Sequence, residues 1–304
     1  MSFKDTVTNY FKGLQDQICF ALEQEDGAGT FKEDLWSRPE GGGGRTRIIQ
    51  EGAVIEKGGV NFSAVEGKLP DNIQKALGIT SQYFFATGVS IVIHPNSPKV
   101  PIIHMNVRYF ETKKSQESTT VETAWFGGGI DLTPHYIDKG QATWFHQQLK
   151  DACDAHDVQF YPKFKKWADD YFFIKHRNET RGIGGVFFDK LPAVDEHERT
   201  KTFDFVQAIG NAFAPIYTEL MAQNKEKPFT DREQKWQYLR RGRYVEFNLV
   251  WDKGTKFGLD TNGRTESILM SLPKNASWEY NFQVEEGSPE AMTLKQLVKG
   301  IDWV

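Results

Sequence analysis

Ala86-Thr-Gly-Val-Ser-Ile-Val-Ile-His94 and Ile102-Ile-His-Met-Asn-Val-Arg-Tyr-Phe-Glu111, separated by the turn Pro95-Asn-Ser-Pro98, decide the fold class. Both runs alternate with a period of two, the repeat of side chains on a β-strand. Val89, Ile91 and Ile93 fall on one face of the first, opposite Ser90 and His94. On the second, Ile103, Met105 and Val107 oppose His104, Asn106 and Arg108. If the two strands pair as a hairpin, their polar residues gather on one sheet face. Such a face is either solvated or meets a polar ligand.

Residues 120–132 read as a further strand that carries Gly127-Gly128-Gly129 and ends at Asp131. Glycines inside a strand mark a bulge or the close approach of a ligand. Here a flat ligand lying on the glycines meets the Asp131 carboxylate. Upstream, segments near 47–55 and 59–64 flank Lys57-Gly58-Gly59, a hairpin signal. Gly41 to Gly44 read as a mobile loop over 36–47 that carries Arg45 and Arg47. Helical spacing of Phe3, Val7, Phe11, Leu14, Ile18 and Leu22 predicts a helix over 3–24. Further helices are predicted near 138–155, 161–178, 198–223 and 229–241, with a short one near 265–271. Gly242 stands as the C-cap glycine of the fourth of these, before an alternating strand 243–251. A short buried strand is expected at 183–189, and a turn at 261–264. Sequential strands on short turns predict an α+β fold, an antiparallel sheet with helices packed outside. No segment resembles a linker, so residues 1–304 read as a single domain.

The chain has 304 residues, 39% of them apolar and 26% charged, which excludes disordered and fibrous classes. Aromatic residues reach 13%, more flat apolar surface than a core of this size needs, so a pocket is expected to use some of it. A net charge of −4 argues against a nucleic-acid partner. No apolar run reaches the roughly 18 residues of a membrane helix. Cys19 and Cys153 are too few for a disulfide scaffold and read as free thiols. Residues 1–27 hold no apolar leader stretch, and the first arginine is Arg38, so a cytoplasmic protein is expected.

P-loop, GxGxxG and GxSxG patterns are all missing. Two basic knots, 176–185 around Arg181 and Arg240-Arg241-Gly-Arg243, read either as helix-end charge or as anion sites. The seven histidines are dispersed, with no HxH or HExxH pair, so a metal site has little support. Together the residues suggest a wide, aromatic, glycine-floored site for a large polyanionic small molecule.

Ten blocks in one order are more specific than any of these signals. They include GGGGRTR (41–47), GGVNFS (58–63), GVSIVIHP (88–95), HMNVRYFE (104–111), WFGGGIDLTP (125–134), RGIGGVFFD (181–189) and RRGRYVEFNLVWDKGTKFGL (240–259). With YPKFKKWADDYFFIKHR (161–177), ESILMSLP (266–273) and the terminal DWV, the chain resembles the oxygen-dependent coproporphyrinogen III oxidases of haem biosynthesis over its whole length. The resemblance implies a large, flat antiparallel sheet sandwiched between helices, and a homodimer. It implies oxidative decarboxylation of two propionates of coproporphyrinogen III to vinyl groups, with O2 as co-substrate and no organic cofactor. The products are protoporphyrinogen IX, CO2 and H2O2. Ser90, Asn106, Val107, Arg108, Asn262, Gly263 and Arg264 match its substrate-contact positions. His104 matches the proton donor, and Asp131 and Arg181 match further catalytic positions. His94, His104, His146 and His176 match positions proposed as ligands of a divalent metal in bacterial members. Many of those members have Gly where this chain has Asn262. Residues from about Tyr244 onward match the segment credited with dimerisation. Two other classes stay open at this level: a tetrapyrrole carrier without catalysis, and a histidine-based metal hydrolase.

Overall fold

The computed structural model describes residues 2–70, 74–75, 78, 80–260 and 263–304. Helix α1 (Phe3–Asp26) opens on a capping box, in which the Ser2 hydroxyl accepts the Asp5 N–H and the Asp5 carboxylate accepts the Ser2 N–H. Strands β1 (Lys32–Ser37), β2 (Gly42–Gln50), β3 (Ile55–Lys68), β4 (Tyr83–Pro95), β5 (Ile102–Lys113) and β6 (Val121–Thr133) follow. Helices α2 (Lys139–Asp154) and α3 (Phe160–Tyr171) then lead through the short pair β7 (Phe173–Ile174) and β8 (Glu179–Thr180) to β9 (Gly184–Pro192). The chain ends in α4 (Glu196–Asn224), α5 (Asp231–Val250), α6 (Lys253–Asp260), α7 (Thr265–Leu269) and α8 (Pro289–Gln296).

Seven strands form one antiparallel sheet in the order β1-β2-β3-β4-β5-β6-β9. Its first face carries Val60, Val89, Ile91, Ile103, Met105, Val107, Phe126 and Ile130, all at 0% exposure. These pack against Val7, Phe11, Leu14 and Ile18 of α1, Phe145 of α2, and Val206, Ile209 and Phe213 of α4. Burying one such aliphatic or aromatic side chain is worth about 1.5–3 kcal/mol, so this layer is the main source of stability. The second face is only partly covered. Tyr244 of α5 packs on Val92 and Ile102, Phe247 belongs to a cluster with Phe187, and Met270 lies where a Cβ on Gly59 would stand. Helices therefore lie on both sides, as expected of the α+β class.

Four sequence expectations are corrected. The four-glycine stretch is a hairpin, not a mobile loop. Gly41 and Gly42 turn the chain at φ 129° and 76°, and Gly43 and Gly44 pair with Ser37 and Trp36. Gly44 is needed because the Trp36 ring fills the space of its Cβ. Arg45 and Arg47 point to the α1 side, where they pair with Asp16 at 2.7 Å each. They are not a cationic lid. Lys57-Gly58-Gly59 lies inside β3, and the turn falls earlier, where the Asp26 carboxylate accepts the N–H groups of Ala53, Val54 and Ile55. Helix α3 stops at Tyr171, short of the expected 178, so His176 sits in the turn between β7 and β8.

The fourth correction is the largest. Residues 243–250 are helical, with Trp251 as the C-cap, and Gly242 lies in the interior of α5. The buried residues Trp236, Gln237, Arg240, Arg241, Tyr244, Phe247 and Asn248 recur every three or four positions, a helical face that outlasts the local alternation. Gly242 is required by packing. A Cβ there would meet the Ser277 carbonyl at 2.6 Å and the Trp278 ring at 3.2 Å. Helix propensity alone makes Gly242→Ala stabilising by about 1 kcal/mol. The packing reverses the sign, and a loss of about 1–3 kcal/mol is expected from urea midpoints. An Ala variant as stable as the parent would show that the 277–278 segment yields.

Candidate active site on the open sheet face

Register places Asn61, Ser90, Asn106, Gly129 and Phe187 side by side on the second sheet face, one from each of β3, β4, β5, β6 and β9. Four strand spacings give a floor about 19 Å wide. One row along lie Ser63, Gly88, Arg108 and Gly127. On the other side lie Gly59, Val92, His104, Asp131 and Gly185. Ser90, His104, Asn106 and Arg108 are half-buried. The sequence-based hairpin argument is thus confirmed for this group.

His104 and Asp131 are cross-strand partners, and the His104 Nδ1–H donates to Asp131 Oδ1 at 2.7 Å. That bond leaves Nε2 as the ring nitrogen not engaged by Asp131, on a side chain 21% exposed. Asp131 is 1% exposed, and both its oxygens accept from Arg181 Nη2 at 2.8 Å. Burial alone would raise its carboxyl. The Arg181 guanidinium and the His104 ring outweigh burial and hold it below the ordinary 3.8. Arg181 is itself buried, with Nη1 on Asn248 Oδ1 at 2.9 Å and its plane among the rings of Phe172, Tyr244 and Phe247. Two readings therefore change. Asp131 does not stand at the edge of the floor to meet a ligand, and Arg181 does not clamp a substrate carboxylate. Asp131 lies beneath His104, and Arg181 beneath Asp131.

Arg108 is the cation that the floor does present. Its Nη1 donates to Asn106 Oδ1 and its Nη2 to Asp189 Oδ1, each at 2.7 Å, and it lies over the Trp125 ring. Gly127 lies directly beneath it, and a Cβ there would stand 2.9 Å from Arg108 Nη2, so a larger residue would displace the guanidinium. Val107 is corrected. Its side chain is wholly buried on the opposite face and cannot contact a ligand on the floor. Gly128 likewise faces away, toward Phe188. At the far end, the α7 region rests on β2 and β3. The Ser267 carbonyl accepts from Asn61 Nδ2 at 2.6 Å, and the Ser267 hydroxyl meets Thr46 Oγ1 at 2.8 Å. Arg264 bonds that hydroxyl and Asp34, and the Gly263 N–H donates to the Gly258 carbonyl. Asn262 lies outside the described residues. At the β9 end, Phe187 stacks on Tyr171 at 4.1 Å, and the Tyr171 hydroxyl donates to Asp252 Oδ1 at 2.8 Å.

The four histidines do not fit a metal site. His146 is buried between the Tyr161 hydroxyl and the Ile183 carbonyl, at 3.0 Å on each ring nitrogen. Burial pushes its imidazole down to about 3. His94 Nε2 bonds the Ser271 carbonyl, and His176 is held by Glu246 Oε2 on one nitrogen and Trp251 Nε1–H on the other. Each sits in a different pocket, and no group of three or more His, Cys, Asp or Glu could hold an ion among the described residues. The basic knots are also corrected as anion sites. Arg177 and Arg243 pair with Glu246, Arg240 with Glu179, and Arg241 with Glu56. Sequence reasoning missed Asn248 and Asp189. Asn248 belongs to the misread helix. Asp189 follows Phe187 by two positions on β9, so period two alone could have placed it on the floor.

The model of the family described as coproporphyrinogen III oxidase matches residues 6–303. An oxygen-dependent coproporphyrinogen-III oxidase of Drosophila melanogaster is 49% identical over 304 residues, 96% of this chain and 76% of that protein. A chloroplastic one of Glycine max is 48% identical over 298 residues, 95% of this chain and 77% of that protein. A chloroplastic one of Nicotiana tabacum is 47% identical over 299 residues, 95% and 75%.

Proposed function

This chain belongs to the coproporphyrinogen III oxidase family, and we propose from that membership and the open sheet face that it converts coproporphyrinogen III to protoporphyrinogen IX with O2. Each propionate, –CH2–CH2–CO2H, reacts with one O2 to give –CH=CH2, CO2 and H2O2. The electron pair of the broken C–C bond becomes the new double bond. Two electrons and two protons pass to O2. Those two electrons and one of the protons come from the C–H bond that breaks on the methylene next to the ring, and the other proton comes from the carboxyl. The electron-rich pyrrole eases their removal without flavin or haem, so the protein contributes position and charge.

The observation that carries this reading is His104 beside Ser90, Asn106 and Arg108 on one open face. His104 Nε2 handles the proton at the reacting propionate. Asp131 fixes the ring through Nδ1–H, and Arg181 keeps Asp131 ionised. Ser90 and Asn106 offer hydrogen bonds, and Arg108 takes a carboxylate. Each charge-assisted bond is worth roughly 1.5–3 kcal/mol, so Arg108→Ala is expected to raise KM about ten-fold or more. Unchanged kinetics in a folded Ala variant would return Arg108 to a structural role. Gly263 and Arg264 border the opposite end of the floor, and Asn262 belongs with them in this reading.

Residues 1–304 act as one coproporphyrinogen oxidase domain in a homodimer. The exposed Leu249, Val250, Trp278 and Tyr280, at 45%, 46%, 53% and 103%, support a partner at the end of α5. Light scattering that gives a monomer mass would remove the dimer. A cytoplasmic location belongs to the same proposal, and recovery in an organelle fraction would overturn it. No helix among the described residues is long and apolar enough to cross a membrane. The assay for the activity is porphyrin fluorescence after incubation of metal-depleted protein with coproporphyrinogen III. Protoporphyrin should accumulate under air and not under argon, with a chelator changing the rate less than about two-fold. Bound substrate without product would favour a carrier, and abolition by chelator would favour metal chemistry.

A further inference from the structure

We propose that Asp189 is a substrate-binding residue, the carboxylate that accepts N–H bonds from the centre of the porphyrinogen ring. The proposal rests on the reading of the substrate above. It starts from a contradiction of charge. A site for a tetracarboxylate should not display a carboxylate on its floor, even one paired on one oxygen with an arginine, because like charges repel and desolvation adds to the cost. Yet Asp189 lies directly over Gly127, where a Cβ would stand 2.6 Å from its Oδ1, and its side chain is 29% exposed. Its Oδ1 accepts from Arg108 Nη2 at 2.7 Å, while Oδ2 carries no hydrogen bond among the described residues.

The neighbouring carboxylates are committed. Asp131 is buried with both oxygens taken by Arg181 and one also by His104. Asp252 Oδ1 accepts from the Tyr171 hydroxyl and Oδ2 from the Thr255 N–H. That leaves Asp189 with an open lone pair on the floor. The rim of a porphyrinogen is anionic, but its centre presents four pyrrole N–H donors and no acceptor. A carboxylate on the floor suits that centre and opposes the rim. Arg108 then serves two ends of the ligand, holding Asp189 through Nη2 and facing a propionate with the rest of its guanidinium. Because the centre and rim charges are opposite, the pair orients the ring as well as binding it.

The fully oxidised ring separates this role from simple support of Arg108. Coproporphyrin III carries the same four carboxylates but only two N–H groups, and two ring nitrogens that are acceptors. Binding of fluorescent coproporphyrin III is measured anaerobically, and coproporphyrinogen III is titrated as competitor, for the parent chain, Asp189→Asn and Asp189→Ala. Comparing the ratio of the two affinities between proteins cancels the difference in ring shape. The expected result is a loss of about ten-fold or more for the porphyrinogen with less than about three-fold for the porphyrin in both variants. Equal losses for both ligands would mean that Asp189 acts only through Arg108, and would overturn the proposal. Tighter or unchanged porphyrinogen binding would overturn it too. A parent chain that binds neither ligand would instead sink the reading of the substrate, and this proposal with it. Unfolding midpoints of the two variants near the parent's exclude loss of fold.

Discussion

Asp131→Asn is expected to lower kcat on the order of 10²-fold or more while coproporphyrin binding stays within a few-fold of the parent. The amide keeps the shape but must turn its NH2 toward one of two donors, His104 Nδ1–H or Arg181 Nη2. Either His104 exchanges its ring proton, so that Nε2 carries the hydrogen, or Arg181 loses a partner. In the first case the nitrogen on the floor has the wrong protonation. In the second, His104 keeps its bond to the amide oxygen but loses the negative charge that stabilises its protonated ring. Binding is spared because Ser90, Asn106 and Arg108 do not touch Asp131. The sequence alone suggests that such a variant keeps its fold. The buried ion pair changes that expectation. Removal of the negative charge leaves Arg181 uncompensated at 3% exposure, so the melting temperature should fall as well. Normal kcat in a folded Asn variant would take Asp131 out of the mechanism.

Arg181→Met gives the largest expected effect on stability, a loss of about 3–5 kcal/mol. Methionine fills the space among Phe172, Tyr244 and Phe247 but leaves Asp131 buried beside His104 alone. Burial then raises the Asp131 carboxyl without the guanidinium to oppose it. The sign with pH follows. In the parent, the carboxyl is held below 3.8, so its contribution is complete above that value and is lost as pH falls through the lower folded value. In the Met variant the sign reverses, because a carboxyl raised by burial favours the fold when protonated, so stability should fall as pH rises above 3.8. Asp131→Leu together with Arg181→Met removes both charges and should recover much of the stability without recovering activity. Urea unfolding of the two variants at several pH values checks this. A double variant no more stable than the single one would show that the pair itself, rather than the stranded charge, holds the core.

Much of this site was legible because its central strands alternate cleanly. Ser90, His104, Asn106 and Arg108 share a face by period two, and Gly127 and Asp131 fall on the same face of the next strand. The sequence could not show that His104 and Asp131 are direct partners, since that register depends on the 114–120 connection between β5 and β6. Arg181 was visible as a cation at a glycine-rich turn, but its burial comes from Tyr244, Phe247 and Asn248. Those residues lie in the stretch Arg243–Trp251, whose apolar spacing suits a strand as well as a helix. Gly242 strengthened the wrong choice, because a packing glycine inside a helix looks like a cap. The four glycines at 41–44 misled in the same way, Gly41 and Gly42 turning the chain and Gly43 and Gly44 allowing close approach of Trp36.

The measurement that tests the central claim most directly is the gas balance of the purified chain acting on coproporphyrinogen III, with O2 uptake and CO2 release followed together. The account predicts one O2 consumed and one H2O2 formed for each CO2 released, and two CO2 for each protoporphyrinogen. CO2 release that continues under argon, or substrate bound with neither gas exchanged, would contradict it.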